Sequence, residues 1–272
     1  MIIDFHVHIG RKEHWHPWVN ELFEKANPEL YENFDGIMNP QGLEKLLSEQ
    51  GVDHAVILAE NSPITTGVVS NTFVEEFCSG KNMFFPFASI DPRTESHPAE
   101  NLRRLVEEKG FAGLKLYPSY QQFSANDKVA YPLYEEAEKL KIPVMVHTGT
   151  SIFSGARLKY ANPQDLDDVA VDFPKLKLVM AHSGRGLWYR EAFFLARMHE
   201  NVYMDISGLP PKKLLSYFPD METVANKVIF GSDWPGISSI KDNMAAVNQL
   251  KLKAETKEKI LGGNAAALLG LK

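Results

Sequence analysis

The chain has 272 residues, of which 44% are hydrophobic, and its formal net charge at pH 7 is −6. This composition suffices for one large core, and α/β barrels of this length commonly form one domain, so we expect a single domain over residues 1–272. Lysine and arginine form no cluster or stripe, which argues against a nucleic-acid partner. The longest apolar runs are far too short to cross a bilayer, so no membrane role is expected.

The single cysteine, Cys78, rules out an internal disulfide and is typical of a reducing compartment. The opening residues lack a cationic stretch followed by an apolar run and a cleavage site, so we expect no secretory signal. These features predict a cytoplasmic protein.

The first predicted strand lies in MIIDFHVHIG. Because side chains alternate between the two faces of a strand, Asp4, His6 and His8 are expected on one face and apolar residues on the other. Three polar groups on one face either contact solvent or point into a polar site. The rest of the chain decides between these interpretations.

Residues 9–38 follow this strand and are long for a loop between a strand and a helix. They carry Trp15, His16, Trp18, Phe23, Tyr31 and Phe34. Such a segment forms a small core of its own, covers the site as a lid, or does both.

The elements after residue 38 alternate between short β-rich runs and helical stretches. The first helix is expected to begin at Asn39–Pro40 and end at Gly51, because asparagine caps, proline opens and glycine ends helices. The later strands are expected in HAVILA, MFFPFASI, FAGLKLYP, IPVMVHTG, LKLVMAHSG, NVYMDISG and KVIFGSDWP. The later helices are expected at Thr72–Cys78, AENLRRLVEEKG, YPLYEEAEKLK, PQDLDDVAVDF, Trp188–His199, Lys212–Tyr217, Met244–Leu250 and Asn264–Leu269.

These eight strand–helix units have strands that are apolar on nearly both faces, which indicates a parallel sheet covered by helices. The pattern predicts an α/β fold, a (β/α)8 TIM barrel with an extended loop after strand 1. A doubly wound open sheet is the alternative, although it rarely uses eight parallel strands. In a barrel, the site lies at the carboxyl ends of the strands.

Unusual polar residues occur at those strand ends. His6 and His8 end the first strand, His147 ends the fifth, His182 ends the sixth, and Asp233 follows the eighth. A divalent metal is the simplest explanation, because imidazole and carboxylate ligands suit zinc and also iron, manganese or nickel.

Lys115 lies near the end of the fourth strand and allows several interpretations. A lysine inside a barrel needs an anionic partner or a lowered pKa. It could be carbamylated and bridge two metals, or it could pair with Asp4 or another buried carboxylate.

The remaining histidines are expected to have other roles. His14 and His16 form a second His-x-His pair, but no strand fixes their spacing, so we assign them to the loop surface or to a substrate contact. His54, His97 and His199 are expected to be structural.

The contexts IIDFHVHIG, IPVMVHTG, LVMAHSG, VYMDISG, VIFGSDWP and GGNAAALL together resemble the amidohydrolase superfamily, in its amidohydrolase-related branch. That branch includes metal-dependent hydrolases and decarboxylases resembling aminocarboxymuconate semialdehyde decarboxylase. The resemblance implies one or two divalent ions, with zinc as the first candidate. By position, the implied ligands are His6, His8, His147 and Asp233, joined in two-metal members by His182 and by Lys115, whose LKLYP segment is similar to the carbamylated strand of dihydroorotase.

The resemblance implies metal-dependent hydrolysis of an amide, lactone or related bond of a small molecule. A bound metal lowers the pKa of its water, Asp233 would act as base and then acid, and His182 would orient the nucleophile or stabilise the oxyanion. The alternative is metal-dependent decarboxylation of a small unsaturated or aromatic acid. It would need a dedicated arginine, for which Arg11, Arg157 and Arg185 are candidates. A non-catalytic metal-binding protein ranks last.

Three residues are expected to contact the substrate. Arg185 would clamp a carboxylate, unless it forms an ordinary surface ion pair, while Tyr117 and Trp234 would supply apolar walls. Asp4 is expected to hold the geometry of the ligands. The sequence leaves the oligomeric state open.

Overall fold

The structure is a computed structural model and describes residues 1–271. Its centre is an eight-stranded, entirely parallel sheet, and a separate antiparallel hairpin lies beside it. The ten strands are β1 (Ile3–His8), β2 (His54–Leu58), β3 (Glu60–Ser62), β4 (Gly67–Val69), β5 (Phe84–Ser89), β6 (Gly113–Leu116), β7 (Val144–Gly149), β8 (Leu178–Arg185), β9 (Val202–Asp205) and β10 (Val228–Ile229). All strands except β3 and β4 belong to the large sheet, where they follow chain order.

Helices surround this sheet. They are α1 (Pro17–Ala26), α2 (Pro28–Glu32), α3 (Phe34–Ile37), α4 (Pro40–Glu49), α5 (Asn71–Cys78), α6 (Pro98–Lys109), α7 (Pro118–Gln121), α8 (Tyr131–Leu140), α9 (Asp165–Asp172), α10 (Tyr189–Met198), α11 (Leu214–Tyr217), α12 (Ile240–Asn248), α13 (Ala254–Glu258) and α14 (Asn264–Leu269). Among residues 1–271, no helix has the length and apolar character needed to cross a membrane.

The predicted (β/α)8 barrel is confirmed, because each predicted strand is present and its neighbours in the sheet are its neighbours in the chain. The predicted helices are also present, although α12 begins four residues before the expected position. The sequence did not predict the β3–β4 hairpin, α7 or α13, which are all short.

The barrel closes where β1 meets the segment that follows β10. The Phe5 N–H donates to the Phe230 carbonyl at 3.0 Å, and the His8 N–H donates to the Trp234 carbonyl at 2.8 Å. Between them, the Asp233 N–H donates to the His6 carbonyl at 3.0 Å. Closure therefore places two histidines of β1 beside Asp233.

The first strand does not alternate as simply as its sequence predicts. Its pairing with β2 shifts register between Asp4 and Val7, as at a β-bulge, where an extra residue re-aims the side chains. Ile3 and Phe5 pack in the smaller core cluster inside the barrel, whereas Val7 packs in the larger cluster under the helices. The expectation that the apolar residues of β1 share one face is therefore wrong.

Asp4 instead connects the closing strands. Its Oδ1 accepts hydrogen bonds from the backbone N–H groups of Ser232, at 2.8 Å, and His6, at 3.2 Å. The side chain is fully buried, and burial raises its pKa to about 7. Asp4 thus holds the backbone next to both His6 and Asp233.

Residues 9–38 fold into the three short helices α1–α3. The Trp15 ring packs edge-to-face against Phe23 at 5.1 Å and Phe34 at 6.5 Å, and all three are buried in the larger core cluster. Val19, Leu22 and Phe23 also line a cavity at the barrel mouth. The segment is therefore both a local core and a cover for that cavity.

Replacement of the cap of α4 tests the expected helix start. The Asn39 side chain accepts hydrogen bonds from the N–H groups of Gln41 and Gly42, so Asn39→Ala should lower the free energy of unfolding by about 1 kcal/mol. Urea denaturation would measure the loss. Asn248→Ala, at the exposed end of α12, is the control and should change stability by less than about 0.5 kcal/mol. Equal effects of the two substitutions would contradict the assigned cap.

Candidate metal site and substrate cavity

A cavity of about 100 Å³ lies at the carboxyl end of the barrel. Its walls combine titratable and aromatic side chains from the strand ends with apolar residues from α1. The lining comprises His6, His8, Val19, Leu22, Phe23, Glu60, Thr66, Lys115, Tyr117, Tyr120, His147, Ile152, Phe153, His182, Arg185, Asp233 and Gly236. The structure therefore brings together the predicted histidines, Lys115, Arg185, Tyr117 and Asp233.

Three of these residues offer ligand atoms to one point. The Nε2 atoms of His6 and His8 each lie 3.5 Å from Oδ1 of Asp233, and these three atoms lie within 4.8 Å of one another. The His147 ring lies next to His182, with 4.8 Å between ring centroids. The cluster contains the donor types that bind zinc, manganese or iron.

The hydrogen bonding of the buried histidines fits a metal. Within the described residues, His6 Nε2 and His147 Nε2 are buried without a hydrogen-bond partner. Burial and the nearby Lys115 lower the pKa of His6, and burial and His182 lower the pKa of His147. Both rings are therefore neutral with a free nitrogen, which is the form that ligates a divalent ion.

A network around Ser207 orients His6. The His6 Nδ1 atom lies 2.7 Å from Asp205 Oδ2 and 2.9 Å from Ser207 Oγ. The Ser207 hydroxyl donates to Asp205 Oδ2 at 2.6 Å. A carboxylate that accepts the Nδ1–H of a histidine directs its Nε2 toward a metal. His6, His182 and Asp205 also form a second group of candidate ligand atoms, but Asp205 uses His6 Nδ1 in this orienting contact.

His182 and Asp233 both occupy strained backbone positions. Their φ angles are 62° and 67°, in the left-handed region that residues other than glycine seldom adopt. Such strain is concentrated at functional sites. His182 Nδ1 lies 3.0 Å from the Ser207 carbonyl oxygen and 3.8 Å from Asp233 Oδ2. The two side chains are thus fixed beside each other.

The charge of Asp233 depends on the surrounding histidines. Burial raises the pKa of its carboxyl group, but His182, His8 and His6 outweigh burial and hold that pKa well below the usual range. Asp233 is therefore a carboxylate at neutral pH, as a metal ligand or a proton acceptor must be.

Lys115 is fully buried at the cavity. Its Nζ atom lies 3.2 Å from Met145 Sδ and 5.1 Å from the centre of the Tyr117 ring. Burial lowers its pKa to about 8. Among residues 1–271, no carboxylate oxygen lies within 4.0 Å of Nζ, so the ion pair with Asp4 that the sequence allowed is not formed. Carbamylation of Lys115 stays a prediction.

Arg185 is not in an ordinary surface ion pair. Its Nε and Nη2 atoms donate to the Thr150 carbonyl oxygen at 3.2 and 3.0 Å, and its Nη1 atom lies 3.6 Å from Asp233 Oδ2. Arg11 and Arg157 are exposed and do not line the cavity. Of the three candidate arginines, Arg185 is thus the one placed at the site.

The two predicted aromatic walls differ. Tyr117 lines the cavity and donates its hydroxyl to the Ala59 carbonyl oxygen at 3.0 Å. Trp234 does not line the cavity, in contrast to the expectation, because it is buried in the core beside Val7. Tyr120 and Phe153, which the sequence did not single out, line the cavity instead.

The other histidines lie away from the cavity lining. His16 Nε2 lies 2.8 Å from the Pro63 carbonyl oxygen, and the His14 Nδ1 atom accepts the Arg11 N–H. His54 begins β2, His97 precedes α6, and His199 lies 2.6 Å from Asp167 at the end of α10.

Sequence reasoning missed two buried acids, Asp205 and Glu60. Asp205 ends β9, and Glu60 begins β3, with one residue between it and the end of β2. Glu60 Oε2 lies 3.8 Å from His8 Nδ1, and Thr66 donates to the Glu60 carboxylate. Both acids lie at the carboxyl ends of predicted strands, which is the same signal that identified the histidines.

The amidohydrolase family model matches residues 3–271. The chain belongs to the amidohydrolase family. The gamma-resorcylate decarboxylase of Rhodococcus jostii is 23% identical to this family member over 253 residues, which cover 70% of this chain and 75% of that protein.

Solved structures have the same fold. An uncharacterized TIM-barrel protein from Bordetella bronchiseptica has a TM-score of 0.81 at 24% identity, over 99% of this chain and 98% of that chain. A second structure is a dihydroxybenzoic acid decarboxylase from a Polaromonas species, with bound manganese and the inhibitor 2-nitroresorcinol. It has a TM-score of 0.72 at 18% identity, over 99% of this chain and 96% of that chain. At these identities, the similarities show a shared barrel.

Removal of one histidine from β1 tests the metal site. His6→Ala should reduce bound metal at least tenfold, because it removes a candidate ligand atom. Loss of a group that supports a metal site typically lowers metal affinity by about 10- to 100-fold. Elemental analysis of the purified variant would measure this. The double variant His14→Ala/His16→Ala removes the other His-x-His pair and should retain its metal. If the double variant lost its metal and His6→Ala kept it, the metal site would lie in residues 9–38 instead.

Proposed function

We propose that this protein is a divalent-metal-dependent decarboxylase that acts on a small unsaturated or aromatic carboxylic acid. The observation that carries the proposal is the composition of one small cavity. The candidate ligands His6, His8 and Asp233 line it together with two basic side chains, Lys115 and Arg185, and several aromatic rings. The sequence analysis ranked hydrolysis first and decarboxylation as the alternative. The decarboxylases among the relatives of this chain favour decarboxylation.

In this proposal His6, His8, His147 and Asp233 hold one ion. A single ion fits because Asp205 already engages the second nitrogen of His6. A bound divalent ion supplies Lewis acidity to carboxylate or hydroxyl oxygens of the substrate. The manganese of the Polaromonas relative supports manganese, and zinc accepts the same ligand types.

Loss of carbon dioxide breaks a carbon–carbon bond and leaves the electron pair on the remaining carbon, which must then gain a proton. We assign the transfer of this proton to Asp233 and His182, whose nearest carboxylate oxygen and ring nitrogen lie 3.8 Å apart. The Asp233 carboxylate takes up a proton from solvent and gives it to the carbon, so the net reaction consumes one proton and releases one carbon dioxide. Ser207 fixes the His182 ring, so that the pair keeps one arrangement. A fixed proton donor contributes about 10²- to 10⁴-fold to a rate.

The cavity walls suit a flat substrate. Tyr117 and Tyr120 stack with 5.8 Å between ring centroids, and Phe153 packs edge-to-face on Tyr120 at 6.2 Å. Such rings pack against planar apolar groups. Arg185, beside Asp233, is proposed to hold the carboxylate that leaves.

Two other properties rest on the sequence alone. A cytoplasmic location follows from the single cysteine, and one domain over residues 1–272 follows from the uninterrupted strand–helix pattern. Both stay predictions.

The reaction itself can be tested with a panel of small hydroxybenzoic and unsaturated acids. At least one member should release carbon dioxide, chelation should abolish the release, and Mn²⁺ or Zn²⁺ should restore it, because the ion holds the substrate oxygens. A carbon dioxide assay would follow the reaction, and in a parallel panel proton release would report the hydrolysis of lactones and amine formation that of amides. Hydrolysis without any decarboxylation would contradict the proposal.

Asp233→Asn tests the proton transfer. The variant should lose about 100-fold or more of kcat/KM, because an amide cannot carry the proton. Asp220→Asn, at an exposed position, is the control and should keep wild-type activity. Circular dichroism would verify the fold of both. Undiminished turnover by the Asp233 variant would exclude this residue from the reaction.

A further inference from the structure

Lys115 is a buried cation that forms no direct ion pair with a carboxylate among residues 1–271, and Asp205, Asp233 and Glu60 act on it only from beyond 4.0 Å. Its side chain is fully buried, and its Nζ atom donates to the weakly accepting Met145 sulfur at 3.2 Å. Burial of an ammonium group without a directly paired anion is energetically unfavourable. A protein keeps such a group where an anionic ligand can complete the pair.

The surroundings of Lys115 leave only the cavity for such a ligand. In the sheet, Lys115 lies between Ser89 of β5 and Met145 of β7. Tyr117 presents its ring to the ammonium at 5.1 Å, while its hydroxyl bonds to Ala59. Lys115 itself lines the cavity. An anion that meets it must therefore enter through the substrate site.

The other charged residues of the cavity are already engaged. Arg185 bonds to the Thr150 carbonyl oxygen and lies near Asp233. Glu60 accepts from Thr66 and lies near His8. The two acids and two bases that line the cavity cancel in formal charge, so a divalent ion would make the cavity doubly positive. That charge matches a substrate with two acidic groups.

We propose that Lys115 determines specificity by binding a second acidic group of the substrate, a carboxylate or an ionised hydroxyl, in addition to the carboxylate that is lost. The proposal rests on the proposed decarboxylase function and narrows it to small acids with two acidic groups. It gives Lys115 a positioning role through a direct substrate contact and requires no second metal.

Binding experiments test this proposal without turnover. The probes are benzoate and the three benzenedicarboxylates, titrated calorimetrically into the metal-loaded protein. At least one dicarboxylate should bind about tenfold more tightly than benzoate, which is the scale of a hydrogen bond to a charged group. If the wild-type protein binds no benzenedicarboxylate more tightly than benzoate, the proposal is overturned, whatever the result for the variants.

Lys115→Met assigns the preference to this side chain. The variant should bind benzoate within about twofold of wild type but lose the tenfold preference for the dicarboxylate. Lys109→Met removes a surface lysine that pairs with Glu75 and should retain the preference. A Lys115 variant that keeps the preference contradicts the proposal. One that loses its metal, measured by elemental analysis, also contradicts it and points to a bridging lysine instead.

The two proposals fail in different ways. A preference for diacids that depends on Lys115, without release of carbon dioxide from any acid, would overturn the decarboxylase function and leave the binding role intact. Decarboxylation of acids with one acidic group, at rates equal to those of diacids, would overturn the role of Lys115 alone.

Discussion

Closure of the barrel between β1 and the segment after β10 is the constraint on which the site depends. Residues more than 220 positions apart in the chain become neighbours through backbone hydrogen bonds, of which the bond from Asp233 to the His6 carbonyl lies within the ligand cluster itself. Asp4 reinforces this contact by binding the backbone of Ser232 and His6 with one carboxylate oxygen. The cluster of candidate ligands is therefore a consequence of how the barrel closes.

Burial then determines the chemistry of the cluster. It lowers the pKa of His6 and His147, which leaves each ring with a free nitrogen, while the pKa of Asp233 lies well below its usual range, so that Asp233 is a carboxylate. The orienting contacts of Asp205 and Ser207 hold His6 in one ring position. Ligands that are already held in place lower the free-energy cost of rearranging side chains when a metal binds or a substrate reacts. The strained backbone at His182 and Asp233 is consistent with positions selected for their geometry.

The sequence predicts the fold and most of the titratable residues of the cavity because the carboxyl ends of parallel strands lie at one end of the barrel. A histidine at the end of an apolar strand is unusual, and this position identified the histidines as candidate site residues. Asp205 and Glu60 obey the same rule, but acids are common in exposed loops, so they do not stand out. The bulge in β1 and the burial of Trp234 depend on strand register, which involves residues distant in the chain and leaves no local pattern.

The most direct test of this account is the metal content of the wild-type protein, purified without added metal and then reconstituted with Mn²⁺ or Zn²⁺. The account predicts about one equivalent per chain, since ligand atoms of His6, His8 and Asp233 converge on one point and His6 has one free nitrogen. A protein that binds no ion after reconstitution would contradict the central claim, because the unpartnered nitrogens of His6 and His147 would then need another explanation.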